Sequence, residues 1–381
     1  MKPVLAITLA AALAAASASA PQPAATAPPQ AASTTLAPTG GRGLTEVHGI
    51  KVGHYTLTAR PTGCTVILVD GEGVPGGVSQ RGGAPGTRET DLLDPLNMVD
   101  KVNAIVLSGG SAFGLDAAMG TVRWLEERNV GYKTGGGVVP IVSSAILFDL
   151  PFGGKPNVRP TSECGYKAAD AATTGPVVEG NVGAGAGATV GKMGGAVEHP
   201  GYPGGRLGPM KGGVGSAAIT LPNGLVVSAI VAVNSVGDII DPDTGQVVAG
   251  ARTPDGKLAD VRKLLRAGAI SRRQAPRPAE NTTIGLVATN ARLSKVEVNR
   301  LALMADDGLA RAINPSHTPG DGDTVFALAT GRWTGEASVT VIGTLAAEAM
   351  AEAIVRAVSM AETLGGVPSA KEMGTVPARI K

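Results

Sequence analysis

Residues 281–289 read NTTIGLVAT and join a polar loop to an apolar strand. The preceding residues 272–280 read RRQAPRPAE, and this run of proline and charge is typical of an exposed loop. The short apolar run from Ile284 to Thr289 predicts a core strand. Only about 100 residues follow the loop. We therefore expect this strand to find its partners in the preceding part of the chain, within one domain.

Thr282 is a candidate N-terminal nucleophile at this junction. If the Asn281–Thr282 bond is cut, Thr282 gains a free α-amine beside its own hydroxyl. Such an amine has an unperturbed pKa of roughly 7.7–8.0, so it can take the hydroxyl proton near neutral pH. A threonine activated by its own amine is a known kind of nucleophile.

Apolar runs alternate with glycine-rich turns from Leu44 onward. The pattern predicts strands at residues 64–69, 104–107, 138–147, 225–233 and 324–329, and helices at residues 112–128, 292–313 and 345–364. Strands and helices follow one another without a regular βαβ rhythm. We therefore expect a layered α/β domain in which helices cover stacked sheets.

The composition excludes several classes of function. The chain has 381 residues and a formal net charge of +2, which gives no nucleic-acid footprint. Charged residues make up 17%, against a typical value of about 25%. Glycine is abundant at 55 residues while aromatic residues make up 3%, so stacking on bases or sugars is not expected as the main means of recognition.

The N-terminal residues indicate export. Residues 1–20 resemble a secretory signal peptide, with a charge at Lys2, an apolar stretch at 4–16 and small residues at 16–20. The apolar stretch is shorter than the roughly 20 residues of a membrane span, so no stable membrane anchor is expected. Residues 21–43 are rich in Pro, Ala and Thr and predict a flexible linker. We expect a periplasmic or secreted protein.

The two cysteines, Cys64 and Cys164, can form one bridge or remain two buried thiols, and the sequence leaves both open. Neither lies in a CxxC motif. The four histidines, at positions 48, 54, 199 and 317, form no pair at i, i+4. We therefore expect no metal site.

Two glycine-rich segments invite a catalytic interpretation and fail on detail. Residues 183–192 read GAGAGATVGK, but Met193 follows where a phosphate loop needs Ser or Thr, so a tight turn is expected. Residues 109–114 read GGSAFG and resemble a nucleophile elbow around Ser111, but Phe113 stands where that motif needs glycine. We expect Gly110 and Ser111 to form a helix N-cap or a wall of the substrate pocket.

Polar side chains near strand ends are further candidates. Asp321 and Asp323 form either a turn or carboxylates near the new amine, which they could orient or use to bind a substrate ammonium. Asn234 ends a predicted strand, where its amide could donate to an oxyanion or simply make a turn. By contrast, Asp306 and Asp307 are expected on the solvated face of a helix.

Five of these stretches together resemble the L-aminopeptidase/D-esterase and β-peptidyl aminopeptidase enzymes, the DmpA/BapA-like family. The resemblance spans roughly residues 44–331, and the two long stretches are jointly specific. The matching stretches are RGGAPGTRETD at 81–91, LSGGSAFGLDA at 107–117, GNVGAG at 180–185, GGVGS at 212–216 and NTT at 281–283.

The resemblance implies an α/β fold with two sheets between helical layers, a four-layer α-β-β-α sandwich similar to N-terminal nucleophile hydrolases and to ornithine acetyltransferases. It also implies a single catalytic domain, residues 44–381, that cleaves itself into an α chain, 44–281, and a β chain, 282–381. Most members use serine as the nucleophile, and a threonine branch is known. Asn234 matches the family's oxyanion asparagine. The Asp321–Asp323 pair stands where the best-known members have Ser-x-Glu.

The expected function is that of an exported, self-processing aminopeptidase or amidohydrolase. It would release N-terminal residues from small peptides, amides or esters through an acyl-enzyme on Thr282, with no metal or organic cofactor. The resemblance also implies a homo-oligomer of αβ units. Two alternatives stay open: an acyltransferase of the ornithine acetyltransferase type, and an uncut periplasmic binding protein. The sequence does not identify the substrate.

Overall fold

The computed structural model describes residues 41–197, 199–202, 206–269, 281–336 and 338–380. The predicted signal peptide, and the predicted linker up to residue 40, lie outside the described residues.

The strands fall into two large sheets and three small ones. In chain order they are β1 Ile50–Thr56, β2 Gly63–Val69, β3 Val74–Gln80, β4 Thr87–Arg88, β5 Lys101–Val102, β6 Ala104–Ser108, β7 Tyr132–Thr134, β8 Gly137–Val139, β9 Val142–Ile146, β10 Thr189–Val190, β11 Met210–Lys211, β12 Gly213–Thr220, β13 Val226–Asn234, β14 Asp238–Ile240, β15 Val247–Ala249, β16 Thr282–Thr289, β17 Ile313–Asn314 and β18 Thr324–Ala329.

The helices vary from one turn to six. They are α1 Ala117–Glu126, α2 Ser162–Asp170, α3 Val261–Arg266, α4 Lys295–Ala312, α5 Val339–Ser359 and α6 Ala370–Met373. Within the described ranges, none of them is both long and apolar enough to cross a membrane.

The two large sheets are mixed. One has the strand order β1-β2-β6-β9-β4, and β6 and β9 run parallel within it. The other has the order β12-β13-β16-β18-β3-β5, and β16 and β18 run parallel within it. The small sheets are β15-β14-β17, β10-β11 and β7-β8.

Alternation along the central strands explains how the layers stack, because successive side chains of a strand point to opposite faces. In β16, Ile284, Leu286 and Ala288 contribute to the core between the two large sheets. Val287 instead joins the core that the six-stranded sheet forms with α4 and α5. Both faces of β16 are thus covered, and every one of its residues is buried.

Helices α1 and α2 cover the outer face of the five-stranded sheet. Val66 and Leu68 of β2 and Val106 of β6 pack there against small apolar residues of the two helices. The layers therefore run α1 and α2, five-stranded sheet, six-stranded sheet, α4 and α5. The predicted α-β-β-α sandwich is confirmed.

Glycines allow neighbouring elements to approach closely, both between layers and within one layer. A Cβ at Gly215 of β12 would lie 2.1 Å from the carbonyl oxygen of Ala353 in α5. A Cβ at Gly165 of α2 would lie 1.8 Å from the carbonyl oxygen of Ala117 in α1. Real Cβ atoms do not approach oxygen so closely, so the high glycine content serves packing as well as turns.

Several element boundaries differ from the sequence-based expectation, and three of the differences have a clear local description. The helix predicted from residue 112 begins as a 3-10 turn, Ser111–Asp116, before α1. The strand predicted at 138–147 is divided into β8 and β9 around Pro140, which has no N–H to donate. Helix α5 begins at Val339, six residues early, because the Ser338 side chain caps it by accepting from the Val341 N–H.

The two cysteines are bonded to each other. Cys64 lies in β2 and Cys164 in α2, with their Cα atoms 6.2 Å apart. The bond joins the five-stranded sheet to its covering helix and settles the alternative that the sequence left open.

Candidate active site

Thr282 is the first residue of β16 and is buried, with 3% of its surface exposed. Its backbone lies opposite Asn234 at the end of β13. Asn281, also buried, forms an isolated parallel bridge with Asp321 on the other side. The fold thus brings Asn234, Asn281, Thr282 and Asp321 together, although 39 residues or more separate the two outer members from the junction.

The Asn281 carbonyl, which belongs to the bond predicted to be cut, has two donors. The Gly322 N–H donates to its oxygen at 3.0 Å. The Thr282 hydroxyl also donates to this oxygen. A donor that is fixed in this way polarises a carbonyl and stabilises the negative charge that develops on its oxygen during attack. Sequence reasoning missed Gly322, which it treated only as part of a turn.

Asp323 fixes the backbone next to Thr282. Its Oδ1 accepts from the Thr283 N–H at 2.8 Å. Its Oδ2 accepts from the His317 N–H and from His317 Nδ1, each at 3.0 Å. Three hydrogen bonds thus hold this buried carboxylate in place. The carboxylate therefore clamps the start of β16 to the loop before β18.

Asp321 is held at one oxygen only. Its Oδ2 accepts from the Thr318 N–H at 2.8 Å, whereas its buried Oδ1 has no hydrogen-bond partner within the described residues. Burial and the nearby charge of Asp323 raise the pKa of Asp321 above its ordinary value, and Lys192 opposes this rise. The carboxyl group can therefore take up a proton at a higher pH than an exposed aspartate.

Asn234 has a fixed amide orientation. Its Oδ1 accepts from the Thr189 N–H at 3.0 Å and from Lys192 Nζ at 2.9 Å, and its Nδ2 donates to the Phe148 carbonyl at 2.8 Å. Lys192 Nζ also donates to the Asn234 carbonyl at 2.9 Å. Lys192 therefore belongs to the site. In the sequence it stood out only as the end of a glycine-rich segment that does not match a phosphate loop.

The glycine-rich segment before Lys192 is a turn of closely packed backbone. A Cβ at Gly185 would lie 2.4 Å from the Val214 nitrogen. The fully buried Lys211 donates to the carbonyl oxygens of Gly185, Ala188 and Gly212 at 3.3, 2.8 and 3.1 Å. Burial lowers the pKa of Lys211 to about 7. This side chain ties together the turn that leads to Lys192.

Gly110 and Ser111 are connected to Asn234 through residues 147–149. The Gly110 N–H donates to Asp149 Oδ1 at 2.9 Å, and the Ser111 N–H donates to the Leu147 carbonyl at 3.0 Å. Phe148 lies between these two acceptors in the chain and accepts from the Asn234 amide. The segment 147–149 therefore links the Ser111 loop to the Thr282 centre.

Asp306 and Asp307 were both expected on the solvated face of a helix. This is wrong for Asp306, whereas Asp307 is exposed as expected, with 55% of its side chain accessible. Asp306 is fully buried, because the face of α4 that carries it packs against β3. Its Oδ2 accepts from the Ser79 hydroxyl at 2.7 Å and lies 3.5 Å from Arg81 Nε. Its Oδ1 lies 3.7 Å from His317 Nε2.

Comparisons with known proteins place the chain in a family. The sequence matches the model of peptidase family S58 over residues 42–198 and 201–371. An uncharacterized aminopeptidase of Mycobacterium leprae (strain TN) is 44% identical over 354 residues, which cover 86% of this chain and 92% of the relative. A 6-aminohexanoate-oligomer endohydrolase of Kocuria sp. (strain KY2) is 32% identical over 324 residues, which cover 81% and 84%.

A solved structure shows the same fold. The L-aminopeptidase D-Ala-esterase/amidase from Ochrobactrum anthropi, described as a variant of the Ntn hydrolase fold, has a TM-score of 0.63 and 20% sequence identity to this chain. The match covers 88% of this chain and 95% of that protein. The family match, the relatives and the fold confirm the resemblance found in the sequence, and the chain belongs to peptidase family S58.

Proposed function

We propose that this chain is a self-processing hydrolase that uses Thr282 to release N-terminal residues from small peptides, amides or esters. Membership of peptidase family S58 supports a hydrolase of the aminopeptidase type. One observation carries the finer proposal. The Asn281 carbonyl receives hydrogen bonds from both the Gly322 N–H and the Thr282 hydroxyl inside a buried site. The proposed nucleophile, the Thr282 hydroxyl, and a donor for the oxyanion, the Gly322 N–H, thus both contact the Asn281–Thr282 peptide bond.

In maturation, the Thr282 oxygen attacks the Asn281 carbonyl carbon while the Gly322 N–H stabilises the oxyanion. The C–N bond to Thr282 then breaks, its nitrogen takes up the hydroxyl proton, and an ester joins Asn281 to Thr282 Oγ1. Water hydrolyses this ester. The products are an α chain with a carboxylate on Asn281 and a β chain with a free amine on Thr282.

In turnover, the free amine of Thr282 accepts the hydroxyl proton and the oxygen attacks the substrate carbonyl. The leaving amine takes up that proton, and water then hydrolyses the acyl-enzyme ester. We assign Asn234 as the oxyanion donor of this step, because Lys192 and Thr189 hold its amide in one orientation. Asp321 Oδ1, which has no hydrogen-bond partner among the residues that the structure describes, is our candidate for binding an ammonium group of the enzyme or the substrate.

The substrate proposal rests on the relatives. The Ochrobactrum anthropi enzyme is named for peptide, ester and amide cleavage, and the Kocuria relative is named for an oligomeric amide. All of these reactions need an acyl carbonyl beside the nucleophile. We therefore propose a small amide, ester or peptide as the substrate, to be identified by screening these classes.

Export and assembly are further proposals. The signal-like residues 1–20 and the Cys64–Cys164 bond support an oxidising compartment, the periplasm or the outside of the cell. Fractionation of the source cells tests this location. We also propose that several αβ units associate, and light scattering of the cut protein tests this.

The decisive variant is Thr282→Ala, which removes the attacking oxygen. We expect self-cleavage and substrate hydrolysis both to fall on the order of 10⁴-fold or more, since losing a nucleophile has effects of this size. Denaturing gels with intact mass report the cut, and the smaller wild-type fragment should begin at Thr282. An uncut Thr282→Ala chain with full hydrolytic activity would contradict the mechanism.

Two variants serve as controls. Thr282→Ser keeps the hydroxyl and should still cut, while Thr283→Val changes the neighbouring buried residue at nearly constant volume and keeps its N–H bond to Asp323. Adding free amines to the assay distinguishes hydrolysis from the acyltransferase alternative. A dominant acyl-transfer product would favour that alternative.

A further inference from the structure

A chain of contacts connects Thr283, the residue after Thr282, with the buried Asp306 of α4. The Thr283 N–H donates to Asp323, and the other oxygen of Asp323 accepts from the His317 ring at 3.0 Å. The far side of the same ring faces Asp306 of α4, with 3.7 Å between His317 Nε2 and Asp306 Oδ1. The Ser79 hydroxyl holds the second oxygen of Asp306 at 2.7 Å.

His317 Nε2 and Asp306 Oδ1 face each other without other partners. Both atoms are buried, and neither has a hydrogen-bond partner within the described residues. The Asp306 carboxyl is fully buried. A buried carboxylate is costly unless it is paired. Arg81 Nε lies 3.5 Å from Asp306 Oδ2, and a positive charge on the imidazole would pair the other oxygen, Oδ1.

The surrounding charges favour that protonated imidazole. Burial alone would lower the pKa of His317, but the hydrogen bond to Asp323 and the charges of Asp306 and Asp323 raise it above its ordinary value. Arg81, from the loop after β3, opposes this rise. Burial raises the pKa of Asp306 to about 6, and the Ser79 bond and the charges of His317 and Arg81 limit that rise.

We propose that His317 is a positioning residue for the Thr282 centre, because its doubly protonated ring bridges Asp323 to the buried Asp306 and holds the Asp323 carboxylate against the Thr283 N–H. This inference rests on the proposed function of Thr282. His317 would thus influence the rate of self-cleavage through Asp323, without touching Thr282 or the cleaved bond. The charged bridge needs an ionised Asp306 and a protonated His317, so it forms between the pKa of Asp306, about 6, and the raised pKa of His317, and it is lost as the pH rises through the latter.

Self-cleavage is the right reaction for a test. Before the cut, the nitrogen of Thr282 is an amide and does not titrate, whereas the free amine of the mature enzyme titrates at roughly 7.7–8.0 and would mask His317. The full chain can be made by cell-free synthesis and transferred into buffers from about pH 5 to 9.5, a range that spans the ordinary pKa of histidine and values well above it. The uncut fraction is then followed on denaturing gels, which gives the cleavage rate at each pH.

The neighbouring aspartates of α4 provide a matched pair. Asp306→Asn removes the charge that faces His317, so the ring should lose its proton at lower pH. We expect the alkaline fall of the cleavage rate to move by about one pH unit toward acid, the size of shift that loss of one close charge partner produces. Asp307→Asn removes the exposed partner of Arg81, at 2.8 Å, but no group that faces His317, so the profile should move far less than in Asp306→Asn.

His317→Asn supplies the complementary test. His317 has a φ of 54°, a left-handed conformation that asparagine tolerates, so the loop should keep its shape. The amide can still donate to Asp323 but cannot become charged. Between about pH 6 and the pKa of His317, we expect self-cleavage about tenfold slower than in wild type, because a neutral donor replaces the charged one. The cleavage rate of this variant should not change between about pH 6 and 9.

The outcomes separate the two proposals. If the wild-type chain cuts and Asp306→Asn, Asp307→Asn and wild type share one pH profile, the His317 inference is wrong and the Thr282 mechanism stands. A pH-dependent His317→Asn that follows the wild-type profile would also overturn the inference. If the wild-type chain is not cut at any pH, the proposed function fails and the inference fails with it.

Discussion

Gly322 combines a donated N–H with the absence of a side chain. A Cβ at this position would lie 2.9 Å from Thr282 Oγ1 and 2.8 Å from the Ala84 carbonyl oxygen. We therefore expect Gly322→Ala to displace either the hydroxyl or the donor and to slow self-cleavage by about 10²-fold, the effect of losing one oxyanion donor. The uncut fraction after synthesis measures this.

The control for that prediction is a glycine with open space around it. Gly135 lies in the turn between β7 and β8, where an added Cβ would meet no atom within 4 Å, and Gly135→Ala should cut like wild type. A Gly322→Ala chain that is cut at the wild-type rate would remove Gly322 from the mechanism.

At the residue level, the sequence allowed prediction of features that depend on neighbouring residues in the chain. Thr282 became a candidate because a predicted loop and a predicted strand meet at that bond, and the resemblance added Asn234, Asp321 and Asp323 as candidates. The Gly322 N–H and the Asp306 carboxyl were not identifiable in this way. Their roles depend on contacts made only after folding, such as the Ser79–Asp306 bond, which joins residues 227 positions apart.

At the level of elements, the close approach of β12 and α5 depends on Gly215. A Cβ there would meet backbone atoms of α5, at 2.1 Å from the Ala353 oxygen and 2.3 Å from the Ala357 nitrogen. Backbone cannot move aside as a flexible side chain can. We expect Gly215→Ala to lower the free energy of unfolding by about 1–3 kcal/mol, the usual cost of overpacking a core.

Denaturant unfolding of the uncut Thr282→Ala chain measures this change on a single polypeptide. Gly136→Ala, at an exposed turn, is the comparison and should change the free energy of unfolding by less than about 0.5 kcal/mol. Equal unfolding curves for Gly215→Ala and its parent would mean that β12 and α5 can separate without cost.

Strands with plain apolar patterns were predictable and their arrangement was not. The prediction for β18 was correct at both ends, and β16 differs only by its first two threonines. By contrast, β12 reads GVGSAAIT and is a mostly buried strand that the sequence analysis did not predict, because glycines and small residues give no clear apolar pattern. No periodicity shows that β3 pairs with β18, because that pairing joins strands from opposite ends of the chain.

For the whole molecule, the order of strands decides what self-cleavage does to the fold. In the six-stranded sheet, β12 and β13 would belong to the proposed α chain, β16 and β18 to the proposed β chain, and β3 and β5 again to the α chain. The β chain is therefore hydrogen-bonded to the α chain along both edges of its strand pair. The cores on both faces of the sheet also mix residues from the two chains.

This interleaving predicts that the cut molecule remains one folded unit. Cut wild type and uncut Thr282→Ala should elute together in gel filtration, and the cut protein should release its β chain only in denaturant. Their melting temperatures should differ by a few degrees at most, because the cut removes one covalent link at the start of β16 while the strand pairings and both cores remain. A β chain that separates in native buffer would show that the interleaved sheet does not hold the halves. It would also disconnect the nucleophile from Asn234 and Lys192, which belong to the α chain.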